Sequence, residues 1–413
     1  MEGDADDDRM TARRSWAALG TSSTLRYEGA ELLWVDLPFV SPVGTAVGTH
    51  RARPLVLVRL RCRTADGTEV CGWGECAALA DSTYDVEDVA GAWAALEDRL
   101  VPALAALSRS VGGRVPAVGR VDSLAPSAPG RPLALAALEM AVADAHLRAA
   151  GLPFADLLGV AGAVVQPGAV LGTAASDEEL LSRVDARAAE GYVRVKVKVA
   201  PGTEERIVSA LARWADTATG VVPRFQVDAN GAFGADDLDA LVALDRYGLL
   251  CIEQPFARDD LDSHRRLAAR MQTPVCLDES LDGPGRVVEA VSTGACSVVC
   301  VKPGRLGGIG PALEVIEWCG ARRVPWWIGG MFESGYARGV LRCLAALPGL
   351  SLPGDLAPSL SYLDADLVPS VTGRTDPTSG VLVVEVPREP GLGPAPAEDA
   401  LAAHLVRRST LAV

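Results

Sequence analysis

The second half of the chain alternates short apolar runs with amphipathic segments. Eight runs repeat in this way: AVVQPGAVLG, VRVKVKV, RFQVDAN, LLCIEQP, PVCLDES, SVVCVKP, PWWIGGM and LSLPGDL. The segments between them, such as GADDLDALVALDRYG, have the apolar spacing of helices. Strand and helix repeated eight times over about 200 residues predict a (β/α)8-type barrel, which we place at residues 156–372. A doubly wound sheet is the alternative, disfavoured because no G-x-G-x-x-G follows the first strand.

The first part of the chain lacks this alternation. AELLWVDLPFV, PLVLVRLRC and TEVCGWGEC predict three strands, with ADGT as a hairpin turn, and residues 86–107 and 132–150 predict helices. Strands followed by helices indicate a small α+β domain at residues 25–155. The run GVLVVEVP comes after the barrel, so residues 373–413 are expected to return to this domain and complete it. Residues 1–24 have no periodicity and are expected to form a disordered tail.

Composition narrows the classes of partner. The net charge of -14 argues against nucleic acid or an anionic membrane surface as a partner. The acidic start MEGDADDDRM does not resemble a secretory signal, and no apolar run is long enough to span a bilayer, so we expect a cytoplasmic protein. The nine cysteines contain no CxxC pair and lie mostly in apolar runs, which predicts buried free thiols rather than disulfides or a zinc site.

Charged residues mark the ends of five consecutive predicted barrel strands, at intervals of one strand-helix unit: Lys198, Asp228, Glu253, Asp278 and Lys302. Equivalent positions on consecutive strands form a ring at the C-terminal mouth of a barrel, where barrel enzymes have their active sites. Three neighbouring carboxylates repel one another unless a cation lies between them, and oxygen ligands suit Mg²⁺. The alternative is that each acid only caps the helix that follows. Three acids in register favour the metal site.

The run VRVKVKV places Lys196 and Lys198 on one face of a strand and valines on the other. A half-exposed strand would turn this basic face to water, whereas the second strand of a barrel turns it inward, with Lys198 next to Asp228. Lys196 is then expected to lower the pKa of Lys198 by like-charge repulsion and so prepare it to act as a base. With Lys302 on the far side, the arrangement suits removal of a proton beside the carboxylate of a small-molecule substrate, because the cation stabilises the resulting enediolate.

Six further residues near the strand ends are candidates for supporting roles: Asn230, Gln254, Glu279, Gly329, Gly330 and Met331. The first three are polar and could orient a metal ligand or a lysine, although a loop or helix-capping role is the alternative. The last three could bring backbone N–H groups to a substrate carboxylate, although a tight turn is the alternative.

These motifs together resemble a known family. VKVKV, QVDAN, IEQPF, CLDES, CVKPGRLGG and WIGGMFESG, with GWGEC in the N-terminal domain, are similar to the enolase superfamily, muconate-lactonizing subgroup, over the chain from about Leu25. In that family the α+β domain caps the barrel. Within it, GGMFESG, PGDLAPSLSYLDADLV and EPGLG are most similar to the o-succinylbenzoate synthases and the N-succinylamino acid racemases.

The resemblance implies a lyase that dehydrates 2-succinyl-6-hydroxy-2,4-cyclohexadiene-1-carboxylate to 2-succinylbenzoate in menaquinone biosynthesis. It implies that Lys198 abstracts the α-proton, that Lys302 stabilises the enediolate, and that Mg²⁺ is bound by Asp228, Glu253 and Asp278. The alternatives are an N-succinylamino acid racemase, a muconate cycloisomerase and a barrel used only for binding.

The chain departs from the family pattern at two positions. Cys300 stands two residues before Lys302, where the family often has Asn, and Leu341 stands at another position where Asn is common. Both departures concern the choice of substrate. The sequence also leaves the oligomeric state open, including a homo-oligomer.

Overall fold

The structure is a computed structural model that describes residues 11–45 and 48–412. Residues 11–18 form a helix, α1, where the sequence analysis expects a disordered tail. The reason is one tryptophan: Trp16 is buried, and its Nε1 donates a hydrogen bond of 3.0 Å to Glu139 Oε1. Residues 1–10 of the predicted tail lie outside the described residues.

An antiparallel sheet and a group of helices form the N-terminal domain, here called the capping domain. Its first three strands are β1 (Arg26–Thr45), β2 (Gly48–Arg63) and β3 (Glu69–Cys76). The helices are α2 (Val89–Ala95), α3 (Val101–Ser110) and α4 (Pro132–Ala149), with a π-helical turn at Leu96–Leu100 and a 3-10 helix at Val118–Ser127.

Two glycines of β3 bring α4 close to the sheet. A Cβ on Gly72 would lie 2.2 Å from Ala141 O, and one on Gly74 would lie 1.9 Å from Ala137 O. Because both contacts would be with helix backbone, a larger residue at either position would push α4 away from the sheet.

The barrel is built on seven parallel strands that are adjacent in chain order. They are β5 (Ala169–Leu171), β6 (Arg194–Lys198), β7 (Arg224–Asp228), β8 (Ile252–Glu253), β9 (Val275–Leu277), β10 (Val298–Val301) and β11 (Trp326–Ile328). After a short α5 (Phe154–Leu157), the connecting helices are α6 (Asp177–Ala189), α7 (Glu204–Thr217), α8 (Leu238–Ala243), α9 (Leu261–Ala268), α10 (Pro284–Ser292), α11 (Pro303–Leu306), α12 (Ile309–Arg322) and α13 (Gly335–Ala345). The predicted α/β fold class, a (β/α)8-type barrel with a capping domain, is confirmed.

The eighth predicted strand closes the ring without forming a regular strand. On one side, Ser351 N donates to Trp326 O at 3.0 Å and Asp355 N donates to Ile328 O at 2.9 Å. On the other side, Gly354 O accepts from Gly168 N at 2.6 Å. Pro353 lies between these contacts and has no N–H to donate, which explains why the hydrogen bonding is interrupted.

The C-terminal segment contributes strands to two different sheets. The run predicted to join the capping domain forms β13 (Leu382–Glu385), which instead pairs with β12 (Arg374–Thr375) and β4 (Val164–Val165). After α14 (Glu398–His404), the strand β14 (Leu405–Ala412) pairs with β1 and becomes the fourth strand of the capping sheet. The apolar run therefore pairs with the short strand that precedes β5, and the half-exposed final strand completes the capping sheet.

All nine cysteines are free, and only Cys71 is not buried. Among the described residues, no helix combines the length and the apolar character needed to cross a membrane.

Candidate active site

The register of the parallel strands places the predicted charged residues side by side. Lys198 of β6 is the register partner of Asp228 of β7, and Asp228 is the partner of Glu253 of β8. Asp278 and Lys302 directly follow β9 and β10. The five residues therefore lie along one edge of the sheet, as the sequence analysis expects.

Lys198 and Lys196 both contact Asp228. Lys198 Nζ is 2.7 Å from Asp228 Oδ2, and Lys196 Nζ is 3.5 Å from the same atom. Burial raises the pKa of Asp228, but the two ammonium groups lower it more, so the net shift is downward. Asp228 is thus held as a carboxylate although it is buried.

The ammonium group of Lys196 is surrounded by acids. Its Nζ lies 3.0 Å from Glu253 Oε2 and 3.0 Å from Asp355 Oδ2, in addition to the contact with Asp228. Burial lowers the pKa of Lys196, but these three carboxylates raise it well above its ordinary value. Lys196 therefore neutralises buried carboxylates, a role that the sequence analysis did not assign. The predicted effect of Lys196 on Lys198 stays a prediction.

Lys302 and Arg305 contact Asp278, at the end of the row of carboxylates that is opposite Lys198. Lys302 Nζ is 2.8 Å from Asp278 Oδ2, and Arg305 donates to the other carboxylate oxygen. Burial raises the pKa of Asp278, but the charges of Arg305, Lys302 and Lys196 together outweigh it, so the net shift is downward. Burial lowers the pKa of Lys302, but the charge of Asp278 raises it, so the net shift is upward. Both groups are therefore held in their charged forms.

Asn230 and Glu279 support Lys198. Asn230 Oδ1 accepts a hydrogen bond of 2.5 Å from Lys198 Nζ, and Asn230 Nδ2 donates to Glu279 Oε1 at 2.8 Å. Asn230 has a φ of 44°, in the left-handed region, which asparagine adopts more readily than most residues. Burial and the charges of Asp278 and Asp228 raise the pKa of Glu279 to about 7.

Gln254 positions the backbone beside Asp278. Its Oε1 accepts hydrogen bonds from Asp278 N at 3.0 Å and Ser280 N at 3.1 Å, and its Nε2 donates to Ser280 Oγ at 2.7 Å. Gln254 also has a left-handed φ, of 39°. Its side chain therefore links β8 to the turn after β9.

Two of the three residues after β11 use their N–H groups within the protein, whereas the predicted role of the Gly330 N–H stays a prediction. The N–H of Gly329 donates to Val301 O at 3.0 Å, and the N–H of Met331 donates to Glu333 Oε1 at 2.8 Å, so these two groups are engaged within the protein. Gly329 instead provides space, because a Cβ there would lie 2.5 Å from Cys300 Sγ and 2.7 Å from Lys302 Cε. A Cβ on Gly330 would likewise lie 2.6 Å from Arg338 Nη1.

Four contributors were missed in the sequence: Tyr84, Asp85, Arg305 and Asp355. Arg305 lies in the CVKPGRLGG motif, and Asp355 lies at the end of the eighth apolar run, so position alone could have indicated both. Tyr84 and Asp85 follow β3 in a capping segment without periodicity, which offers no comparable signal.

Three hydrogen bonds show what Tyr84, Asp85 and Arg305 do. Lys302 Nζ donates to Tyr84 Oη at 2.6 Å, while the Tyr84 hydroxyl donates to Asp278. Arg305 Nε donates to Asp85 Oδ2 at 2.9 Å. The capping domain therefore supplies part of the site.

The buried acids fit a divalent cation. Among the described residues, Glu253, Asp278 and Cys300 offer ligand atoms that lie within 4.8 Å of one another, and Asp228 adjoins Glu253 through the strand register. Burial and the charge of Asp228 raise the pKa of Glu253 to about 8, and bound positive charge would relieve this repulsion. The predicted ligands Asp228, Glu253 and Asp278 present the hard oxygen atoms that Mg²⁺ prefers. That ligand set stays a prediction.

Comparison with family models gives two matches that together span most of the chain. Residues 30–159 match the N-terminal domain of mandelate racemase and muconate lactonizing enzyme, and residues 179–400 match the enolase C-terminal domain-like family.

Individual proteins are similar over nearly the full length. An N-succinylamino acid racemase of Amycolatopsis sp is 38% identical over 91% of this chain and 97% of its own. An o-succinylbenzoate synthase of Geobacillus stearothermophilus is 35% identical over 87% of this chain and 90% of its own. The crystal structure of an enolase superfamily member from Listeria innocua superposes with a TM-score of 0.84 at 28% identity, covering 94% of this chain and 99% of that one.

Proposed function

This chain belongs to the enolase superfamily, and from that premise we propose that it is a Mg²⁺-dependent o-succinylbenzoate synthase. The reaction is the dehydration of 2-succinyl-6-hydroxy-2,4-cyclohexadiene-1-carboxylate to 2-succinylbenzoate, a step of menaquinone biosynthesis that we place in the cytoplasm. The partner is then a small-molecule carboxylate. Relatives that carry the synthase name, at 32–35% identity, support this proposal.

The observation that carries the proposal is the placement of two lysines on opposite sides of the carboxylates. Lys198 contacts Asp228 at 2.7 Å, and Lys302 contacts Asp278 at 2.8 Å. A divalent cation held by Asp228, Glu253 and Asp278 would supply positive charge that favours negative charge on a substrate carboxylate. A base on one side and a fixed positive charge on the other are what proton removal beside a carboxylate requires.

Each step is assigned to a residue. Lys198 Nζ, in its neutral form, takes the proton from the carbon that bears the carboxylate, and the electron pair of the C–H bond moves into the carboxylate. The electron pair then returns to form the ring double bond as the neighbouring C–O bond breaks. Lys198 returns its proton to the departing hydroxyl, so that water leaves and the aromatic product forms. The Lys302 ammonium, held by Asp278 and Tyr84, stabilises the negative charge between the two steps.

A racemase is the second candidate, and one feature of the site favours it. Moving a proton from one face of an α-carbon to the other requires a proton donor opposite the base, and Lys302 has that position relative to Lys198. The 38% identical relative from Amycolatopsis bears a racemase name. Cycloisomerisation and a binding role without turnover are weaker candidates.

A side-by-side assay tests these candidates. The full chain with Mg²⁺ is given the cyclohexadiene carboxylate and, separately, N-succinyl amino acids, with Lys198→Ala as the inactive reference. We expect a higher kcat/KM for dehydration. If only N-succinyl amino acids are turned over, the protein is assigned as the racemase instead of the synthase. Turnover of neither substrate would contradict both assignments.

A further inference from the structure

A thiol lies beside two of the acids of the site. Cys300 is on β10, two residues before Lys302, and only 2% of it is exposed. Its Sγ lies within 4.8 Å of a carboxylate oxygen of Glu253 and of one of Asp278. This thiol has no part in the mechanism above.

The described residues around Cys300 pack against it but do not form a hydrogen bond with its sulfur. It packs in a small cluster with Cys251, Cys276 and Trp327. Cys276 Sγ accepts a hydrogen bond from Trp327 Nε1 at 3.3 Å, whereas no hydrogen bond engages Cys300 Sγ within residues 11–45 and 48–412. Gly329 leaves the space that the sulfur occupies, since a Cβ there would lie 2.5 Å from it. The thiol is thus buried, without a hydrogen-bond partner, and next to two possible ligands.

The spacing of the three groups fits one metal ion. In the tetrahedral coordination of zinc, bonds of about 2.0–2.3 Å place two ligand atoms roughly 3.3–3.7 Å apart. The distances within this group are at most 4.8 Å, so side-chain shifts of about 1 Å or less would bring all three onto one ion.

The type of ligand decides which ion this group prefers. A thiolate is a soft ligand that selects ions such as Zn²⁺, while Mg²⁺ prefers oxygen. We propose that Glu253, Asp278 and Cys300 form a soft-metal site, which binds Zn²⁺ or Cd²⁺ through one sulfur and two carboxylates.

This site has a consequence for regulation. It shares Glu253 and Asp278 with the Mg²⁺ site of the proposed function, so the two ions exclude each other. Soft divalent ions therefore inhibit the Mg²⁺ form of the protein through Cys300. This consequence rests on the proposed function, whereas binding of the soft ion does not.

Titration with Cd²⁺ alone tests the binding. The full chain, freed of metal with a chelator, is titrated while the ultraviolet absorption of a metal–thiolate bond is followed. We expect the band to saturate at one equivalent in the wild type and to be absent in Cys300→Ser, whose Cd²⁺ affinity falls by at least ~10-fold because a direct ligand is lost. Mg²⁺ affinity, measured by calorimetry, should change much less. Cys276→Ser, which alters the neighbouring buried thiol, is the matched control and should keep the band.

A measurement on the wild type avoids dependence on the variants. X-ray absorption of the Zn²⁺-loaded chain should show one sulfur at about 2.3 Å and oxygens at about 2.0–2.2 Å. A zinc shell without sulfur, a band that persists in Cys300→Ser, or a band that is lost in Cys276→Ser would overturn the proposal. None of these measurements requires turnover, so failure of the soft-metal site and failure of the proposed synthase activity are distinguished.

Discussion

Lys302 Nζ donates a hydrogen bond of 2.6 Å to the hydroxyl of Tyr84, a residue of the capping domain. The same hydroxyl donates to Asp278, so one phenol bridges a lysine and an acid at the mouth of the barrel. Tyr84 lies between β3 and α2, far along the chain from both partners. The position of the capping domain on the barrel therefore affects the orientation of Lys302.

Replacing Tyr84 tests this bridge. Tyr84→Phe removes the hydroxyl and leaves the ring, so we expect kcat to fall about 10-fold, as a hydrogen bond to a charged group is worth about 1.5–3 kcal/mol. KM should change less, because the hydroxyl holds Lys302 rather than defining the cavity. Steady-state kinetics of the variant measures both. Tyr247→Phe, whose hydroxyl contacts Glu205 on the outside of the barrel, is the control. An unchanged kcat would show that Asp278 alone is sufficient to orient Lys302.

The two lysines should differ in their importance to the two candidate reactions. Lys198→Ala removes the base, so both dehydration and racemisation should fall by about 10²–10⁴-fold or more. Lys302→Ala should abolish racemisation, because that reaction needs a second proton carrier. The same variant should keep partial dehydration activity, because Lys302 contributes only its charge to dehydration. Product formation and solvent deuterium exchange are measured for each variant. Appreciable dehydration by Lys198→Ala would contradict the assignment of the base.

Gly329 should tolerate no side chain. Gly329→Ala places a Cβ 2.5 Å from Cys300 Sγ and 2.7 Å from Lys302 Cε, so the lysine must move. We expect kcat to fall by at least ~10-fold, because a small displacement of a reacting group slows the reaction. Circular dichroism should show that the variant keeps its fold. Gly285→Ala is the matched control, since a Cβ there meets nothing within 4 Å. Equal activity of the two variants would show that Lys302 can shift without consequence.

Mg²⁺ should stabilise the folded chain through the acids. At a Mg²⁺ concentration 100 times the dissociation constant, binding to the native state alone adds about 2.7 kcal/mol. Thermal unfolding with and without Mg²⁺ measures this as a higher Tm. Glu253→Gln should lose the shift, because one ligand charge is removed, while Glu178→Gln, on the exposed start of α6, should keep it. A shift that survives in Glu253→Gln would place the ion elsewhere.

Glu139 should make stability depend on pH. Burial raises the pKa of Glu139 from 4.5 to about 7, although it accepts hydrogen bonds from Trp16 and from Gly310 N at 2.9 Å. Since the folded form binds the proton more tightly, this carboxyl destabilises the fold progressively as pH rises from about 4.5 to about 7, by on the order of 3 kcal/mol, and no further above that window.

Urea unfolding of the wild type and of Glu139→Gln across pH 4.5–8 measures this dependence. The free energy of unfolding of the wild type should fall relative to that of the variant as pH rises through the window. A difference that stays constant with pH would assign the carboxyl an ordinary pKa.

The sequence predicted the barrel because each repeat carries its own local signal. A β-strand and an amphipathic helix are recognisable from the spacing of their apolar residues, and eight such pairs fit few folds. The same signal misled where burial depends on distant contacts. Residues 11–18 lack periodicity, yet Trp16 is buried against α4 and orders them. Strand β13 has the apolar pattern of a core strand, which does not say which sheet it joins.

The candidate site divides in the same way. Lys198, Asp228, Glu253, Asp278 and Lys302 were predictable by position, because parallel strands of equal register bring equivalent residues to one edge. The links to Tyr84, Asp85 and Asp355 join separate segments of the chain. No local pattern encodes such contacts.

By itself, the sequence determined the order of the elements and the five charged residues at the strand ends, because both follow from local spacing. Only the tertiary structure decided that Lys196 neutralises three acids, that Gly329 provides space rather than N–H groups, and that Tyr84 reaches Lys302. These relationships depend on how the barrel strands, the capping domain and the closing segment of the barrel pack together. Packing brings together residues that are remote in the chain, so it cannot be read from periodicity.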